Sequence, residues 1–206
     1  MKVIWKGPMR EENVFRYGDI PEDAQKLFPE RGGWAMYLLI LPIFLLAYMG
    51  IRIRLSYAAG MIFSKGELLA GVLLSVLFLS VHELIHAVCC PRGSVCFLYV
   101  TPVGLCIIPA NPLGKYRYIF MAVMPTVVLG IVPFLVWLFF PDINVAAGSV
   151  LFGFSIGSLS MSIGDIYNIL LSGCKMKRQS VLVTSGKDCY YFEDHNMSAS
   201  GNKERG

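Results

Sequence analysis

Four long apolar stretches, separated by charged or turn-forming segments, dominate the pattern of the chain. They cover residues 34–51, 68–90, 119–140 and 145–171. A helix needs about 20 mainly apolar residues to cross the hydrocarbon core of a bilayer, and each stretch is close to that length or longer. The pattern therefore predicts an all-α polytopic membrane protein, in which residues 34–172 form a domain of four transmembrane helices.

The connection between the second and third stretches has a different pattern. Residues 94–109 are rich in β-branched and aromatic residues and are interrupted by Thr101-Pro102 and Gly104. Such a run is too short and too often broken to cross a membrane as a helix, and it is typical of paired strands. We predict a small β-hairpin between the second and third helices.

Both ends of the chain are polar. Residues 1–33 contain no apolar core of a cleaved signal peptide, and residues 19–28 are expected to form either a short surface helix or a loosely ordered stretch. Residues 173–206 are basic, then polar and glycine-containing, which predicts a disordered tail. His195 lies in this tail, and we interpret it as a solvated residue and not as a metal ligand.

The distribution of basic residues predicts an orientation in the membrane. With four spans, both termini and the 91–118 connection lie on one side, which carries 15 of the 18 Lys and Arg residues. The other side has only Arg52, Arg54 and Lys65, and the first two are expected to end the first span. Because Lys and Arg concentrate in cytoplasmic loops, both termini and the hairpin are predicted to be cytoplasmic.

The composition narrows the class of protein further. The chain is 55% hydrophobic and 16% charged, whereas roughly a quarter of the residues in a soluble domain are charged. We therefore expect the protein to be embedded in a lipid bilayer. No basic patch is interleaved with aromatic residues, which argues against a nucleic-acid partner.

Three ionisable residues interrupt the second apolar stretch. The sequence His82-Glu83-Leu84-Ile85-His86 follows residues 68–79, which contain no charge. Residues four apart share one helix face, so His82 and His86 can offer two imidazoles to one metal ion, with Glu83 beside them. The alternative is a charged face on an amphipathic soluble helix. The apolar flanks disfavour it, because ionisable groups inside a span are costly and usually functional.

Two cysteines follow this motif. Cys89 and Cys90 are either small buried hydrophobic residues or include a thiolate ligand for the metal. The six cysteines of the chain form no C-x-x-C pair, and no disulfide framework is expected.

A third ligand is expected, because a catalytic zinc site usually has three from the protein. Asp165 is the one acidic residue deep inside another apolar stretch. It lies roughly 15 Å before the basic end of its helix, as His82 does in the second helix, since a helix rises 1.5 Å per residue. The two helices run in the same direction, so His82, His86 and Asp165 are predicted to meet at one depth. Asn168, one turn later, is a candidate for orienting a ligand.

Small residues recur along the fourth stretch at spacings of three to five, namely Gly148, Gly153, Gly157, Ser160 and Gly164. Such a stripe lets helix backbones approach closely. We therefore predict that the fourth helix packs tightly against the second.

The ligands alone leave several functions open. Two histidines and one carboxylate also suit non-haem iron, but a glutamate directly after the first histidine favours hydrolysis at zinc. A non-catalytic metal-binding protein that acts as a regulator or scaffold would use the same ligands. A metal transporter would need polar residues at several depths, and the first and third stretches offer almost none.

The chain resembles the putative zincin membrane peptidases, a bacterial family allied to the site-2 protease superfamily. The resemblance covers about residues 67–172. It rests on the His82–His86 motif, the β-rich segment after it, Ala122-Val123-Met124-Pro125, and Gly164-Asp165-Ile166-Tyr167-Asn168. It implies Zn²⁺ bound by His82, His86 and Asp165, with Glu83 as the catalytic base, in a bacterial cell membrane.

The sequence thus predicts an intramembrane zinc metallopeptidase that hydrolyses peptide bonds of a membrane protein or peptide substrate. A substrate helix hides its carbonyl groups in hydrogen bonds and must be unwound before cleavage. The predicted hairpin either receives the unwound segment as an added strand or lines the site as a re-entrant element.

Overall fold

The computed structural model describes residues 2–18, 20–28, 34–57, 62–102, 104–140 and 142–193. The helices are α1 Trp34–Tyr37, α2 Ile40–Tyr57, α3 Lys65–Leu77, α4 Leu79–Val88, α5 Lys115–Pro125, α6 Val132–Phe139, α7 Val145–Met161 and α8 Ile163–Lys175. A π-helical segment, Thr126–Ile131, joins α5 to α6. The strands are β1 Lys2–Pro8, β2 Gln25–Lys26, β3 Val95–Thr101, β4 Gly104–Pro109, β5 Leu113–Gly114, β6 Ser180–Ser185 and β7 Asp188–Glu193.

The helices are compatible with a membrane protein. Within the described residues, two helical stretches, Ile40–Tyr57 and Lys115–Phe139, are each long and apolar enough to cross a bilayer. The number rises to four if α3 with α4, and α7 with α8, each count as one bent span. Large apolar side chains of α2, among them Leu41 and Phe44, are exposed, as expected for a surface that contacts lipid. The side of the membrane on which the termini lie stays a prediction.

The second and fourth apolar stretches are not straight helices. The axis turns by 45° between α3 and α4, and by 47° between α7 and α8. The second bend falls at Ser162, which is fully buried and whose hydroxyl donates to the Ser158 carbonyl at 2.9 Å. A serine hydroxyl that bonds the carbonyl four residues earlier tends to bend a helix.

The helix of the first apolar stretch does not end at Arg52 and Arg54. α2 continues through Arg52 and Arg54 to Tyr57, and Arg54 is only 6% exposed. Its guanidinium donates to the carbonyls of Trp137 at 2.6 Å and Phe140 at 3.0 Å. These carbonyls lie at the end of α6, where the last helical acceptors lack partners within the helix. Arg54 therefore caps a neighbouring helix instead of ending its own.

The contacts within the chain define two compact units. The first comprises residues 1–31, 83–122 and 168–206, and the second comprises residues 32–82 and 123–167. Both α4 and α8 pass from one unit into the other.

The second unit is helical and is held by close packing of α3 against α7. A Cβ atom added at Gly71 would overlap the Val150 carbonyl oxygen, and one at Gly153 would overlap the Leu68 carbonyl oxygen. The small-residue stripe thus works as predicted at Gly153. An aromatic cluster that includes Trp137 and Phe152, with ring centroids 4.5 Å apart, forms the apolar core of this unit.

Replacing Gly153 with Ala is expected to lower the free energy of unfolding by about 1–3 kcal/mol, the usual cost of overpacking. The new methyl group meets backbone atoms of α3, which cannot move aside cheaply. Thermal unfolding in detergent micelles measures the effect. Gly66→Ala is the matched control, because a Cβ there has open space. Equal stability of the two variants would contradict close α3–α7 packing.

The first unit contains two small sheets, so the expectation of an all-α protein with a single hairpin is wrong. One sheet has the order β1-β3-β4, with β1 parallel and β4 antiparallel to β3. The other has the order β2-β7-β6-β5. β3 and β4 occupy the segment predicted as a hairpin, and β1 extends that hairpin by one strand.

Two expectations for the ends of the chain, the surface helix and the disordered tail, are also wrong. Residues 20–28 contain no helix, and β2 there pairs with β7. The tail is not disordered up to residue 193, because β6 and β7 pair antiparallel and Val181, Leu182 and Val183 of β6 are buried. This short apolar run supplies enough burial to order the strands. Residues 194–206, and with them His195, lie outside the described residues.

Candidate metal centre

α4 carries the motif as one regular helix. The His82 N–H donates to the Phe78 carbonyl at 2.9 Å, so the helical turn that contains the first histidine is formed. The helix ends at Val88, and the chain then turns through Pro91, Arg92 and Gly93. Gly93 has a φ of +83°, a conformation that suits glycine and releases the chain into β3. His82, Glu83 and His86 therefore have the helical spacing that the sequence predicts.

Asp165 lies directly against the first histidine. Its Oδ2 atom is 2.8 Å from His82 Nε2, and the two side chains are 17% and 7% exposed. Asp165 occupies the first turn of α8, immediately after the bend at Ser162. A helix N-terminus favours a carboxylate because its unpaired N–H groups carry partial positive charge. The structure thus brings together the two helices that the depth argument paired.

His86 lies one turn after His82 on the same helix, and the ligand atoms of the two imidazoles are within 4.8 Å of each other. His86 Nδ1 is 2.9 Å from the Met121 carbonyl oxygen. A carbonyl that accepts from Nδ1 fixes the tautomer and leaves Nε2 as the metal-ligating nitrogen, an arrangement common in zinc proteins.

Glu83 contacts the sheet that follows the motif. Its Oε2 accepts a hydrogen bond from the Ile107 N–H at 3.2 Å. Ile107 lies in β4, which is an edge strand of the β1-β3-β4 sheet. The N–H of Ile107 points to Glu83 and not to β3, so β4 presents its outer edge to this carboxylate.

The donor set fits zinc. Two imidazoles and one carboxylate are ligands of hydrolytic zinc sites, and each of His82, His86 and Asp165 offers one ligand atom. Both histidines are buried, and His86 has the carbonyl partner that such sites use. No cysteine joins this group within the described part of the chain, which gives no support to a thiolate from Cys89 or Cys90.

Cys106 is the cysteine whose pKa responds to Glu83. Burial and, second to it, the negative charge of Glu83 raise the pKa of this thiol to about 11. Cys106 therefore stays protonated at neutral pH and is a poor metal ligand there, because thiolates and not thiols bind metals.

Sequence reasoning missed the partners of the motif, because both are backbone groups. The Met121 carbonyl and the Ile107 N–H are present whatever the side chain, so no residue type marks them. Asn168 lies one turn after Asp165 on α8 and is partly buried. Its role in orienting a ligand stays a prediction.

The chain is similar to a known protein family. A family model described as "Putative zincin peptidase" matches residues 73–181, a little more than half of the chain. The match begins in α3, covers α4 to α8 with their intervening strands, and ends in β6. Neither the curated proteins nor the solved structures give a match.

Proposed function

Because the chain belongs to the putative zincin peptidase family, we propose that it is a membrane-embedded zinc metallopeptidase. Its substrates are membrane proteins or peptides, which it cleaves within the bilayer. The observation that carries this proposal is the contact of Asp165 with His82, at 2.8 Å, beside a helix that also carries Glu83 and His86. Three metal ligands and an adjacent carboxylate are the minimum equipment for hydrolysis at zinc.

His82, His86 and Asp165 would hold the metal. Zinc supplies a Lewis acid that activates water and polarises a carbonyl group. A group that does not bind the metal orients one of these ligands, since the Met121 carbonyl holds the imidazole of His86 in place. Such partners keep a ligand oriented, and their loss typically weakens metal binding by about 10- to 100-fold.

Glu83 is proposed as the general base. It follows His82 directly in the helix, and the Ile107 N–H holds its carboxylate at 3.2 Å. A carboxylate in this position accepts a proton from the attacking water and later returns it to the leaving amine. The hydrogen bond to β4 fixes the direction in which the carboxylate points.

β4 is proposed to receive the substrate. An extended peptide can add to the edge of a sheet through backbone hydrogen bonds, and β4 forms an edge of its sheet. A substrate segment that extends the sheet at β4 would run past Glu83, because the outward N–H of Ile107 already meets that carboxylate. The alternative role of the hairpin, a re-entrant lining of the site, requires no such pairing.

Ile107→Pro is expected to lower cleavage about tenfold or more without changing zinc content, because a hydrogen bond to a charged group contributes roughly 1.5–3 kcal/mol. Proline removes the N–H that Glu83 accepts, and an edge strand tolerates proline. Quantitative mass spectrometry of membrane-protein fragments in expressing cells measures cleavage. Leu105→Pro removes an outward N–H of the same edge two residues earlier, which an added substrate strand could use, and is expected to lower cleavage less than Ile107→Pro. Equal activity of the two variants would contradict a specific role for the Ile107 N–H.

The test of the whole proposal combines metal analysis with fragment analysis. The purified full-length protein is expected to contain close to one zinc per chain, measured by plasma mass spectrometry. Cells that express it are expected to contain membrane-protein fragments that are missing when the metal ligands are replaced. A purified protein that binds no divalent metal would overturn the proposal.

A further inference from the structure

Two buried cysteines meet just beyond the end of α4. Cys90 lies two residues after the end of α4, and Cys96 is the second residue of β3. Their Sγ atoms are 2.9 Å apart, and the residues are 4% and 0% exposed. The two thiols face each other in the first unit, and neither belongs to the metal-ligand group.

We propose that Cys90 and Cys96 form a redox-active pair that a hydroperoxide converts into a disulfide, and that this disulfide weakens metal binding at His86. The second half of the proposal rests on the proposed function, because it requires a metal at His86. The first half does not.

The geometry allows the bond with little movement. A disulfide has an S–S distance of about 2.05 Å, so the sulfur atoms must approach by roughly 0.9 Å. The chain between the two cysteines is a tight turn that includes Gly93 with positive φ. Small rotations of the two side chains and of this turn can close the distance.

One hydroperoxide accepts the two electrons that the two thiols lose when the disulfide forms. A hydrogen bond with Cys90 lowers the pKa of Cys96, which favours the thiolate form of Cys96. The Cys96 thiolate attacks the outer peroxide oxygen, the O–O bond breaks, and a sulfenic acid forms. The leaving oxygen takes up a proton and departs as an alcohol, or as water when the oxidant is hydrogen peroxide. The Cys90 thiol then attacks the sulfenic sulfur, the S–O bond breaks, the disulfide forms, and the hydroxyl group leaves as water with the Cys90 proton. Two thiols are oxidised by two electrons and one peroxide is reduced.

Met121 links this pair to the metal ligand. Cys90 lies four residues after His86, two residues beyond the end of α4, and its N–H donates to the Ala87 carbonyl at 2.9 Å. Its Sγ is 3.7 Å from Met121 Sδ, and the Met121 carbonyl is the partner of His86 Nδ1 at 2.9 Å. A disulfide that draws Cys90 toward β3 shifts the last turn of α4 and the contact with Met121 together. That shift would disturb the hydrogen bond between His86 Nδ1 and the Met121 carbonyl, which orients His86.

Thiol counting tests the pair itself. The full-length protein in detergent is reduced, treated with hydrogen peroxide, denatured and labelled with a maleimide that adds mass per thiol. The reduced chain has six free thiols, and four are expected after oxidation. Cys90→Ser and Cys96→Ser are each expected to prevent this loss. Cys174→Ser is the control, because Cys174 is exposed on α8 and should leave the two-thiol loss unchanged.

Peptide mapping identifies the bond. Trypsin cleaves after Arg92, between the two cysteines, so the expected product is peptide 66–92 joined to peptide 93–115. Because these peptides also contain Cys89 and Cys106, fragmentation of the joined pair assigns the bond to Cys90 and Cys96. A disulfide that joins Cys89 to Cys96, or no loss of thiols at peroxide concentrations that oxidise a surface cysteine, would overturn the proposal.

Zinc affinity tests the coupling. Competition with a chromophoric chelator is expected to give about tenfold weaker zinc binding in the oxidised protein, the lower end of the effect of disturbing a ligand's partner. Reduction should restore the affinity, and oxidation of Cys96→Ser should leave it unchanged. An unchanged affinity in a protein whose disulfide has been mapped would overturn the coupling. A reduced protein that binds no zinc would contradict both the coupling and the proposed function. The thiol count would still test whether Cys90 and Cys96 form a disulfide.

Discussion

Replacing Glu83 with Gln is expected to abolish cleavage of membrane substrates while zinc stays bound. Glutamine has nearly the same shape, and its amide oxygen can still accept the hydrogen bond that the Ile107 N–H now donates to Glu83. What it loses is the capacity to accept a proton, and general-base catalysis typically contributes about 10²- to 10⁴-fold to a rate. The variant therefore separates chemistry from folding and from metal binding.

The measurement has two parts. Zinc content of the purified variant is compared with that of the unmodified protein and is expected to be equal. Membrane fractions from cells that express either protein are then compared by quantitative mass spectrometry, and fragments that depend on Glu83 identify substrates. Glu67→Gln in α3 is the matched control, because it makes the same chemical change outside the motif.

The outcome also separates the peptidase from a regulator or scaffold. If Glu83→Gln leaves the fragment pattern unchanged while His86→Ala unfolds the protein, the metal serves only to hold the helices. Loss of fragments in Glu83→Gln, with zinc and thermal stability intact, is the result expected of an enzyme.

Local pattern was sufficient to predict that His82, His86 and Asp165 lie close together. The spacing of His82 and His86 defines a helix face, and the burial cost of a carboxylate inside an apolar stretch singles out Asp165. The depth argument then pairs these residues from the rise of a helix alone. The structure places Asp165 2.8 Å from His82, which agrees with that argument.

The parts that were not predicted depend on long-range contacts. Arg54 was expected to end a span, but a guanidinium can be buried where it caps the carbonyls of another helix, and only the fold reveals which helix that is. The strand pair β6–β7 follows a basic segment and contains one short apolar run, so its composition resembled a tail. The partnership of Cys90 with Cys96 likewise requires knowledge of where β3 begins relative to α4.

Asp165→Asn is expected to reduce zinc affinity by more than about 100-fold, a loss beyond the range seen when only an outer partner of a ligand is removed. Asparagine preserves the size of the side chain and its place in the first turn of α8, but a neutral amide is a far weaker zinc ligand than a carboxylate. The amide can still hydrogen-bond His82, so the contact between the two helices should persist. Stability without metal is therefore expected to change much less than metal affinity.

Chelator competition and metal analysis measure the zinc affinity, and thermal unfolding of the metal-free protein measures the stability. Asp142→Asn, in the exposed turn before α7, makes the same chemical change away from the motif and is expected to bind zinc normally. The opposite result is equally informative. If Asp165→Asn keeps its zinc, the carboxylate serves only as the hydrogen-bond partner of His82, and the third ligand of the metal must come from another residue.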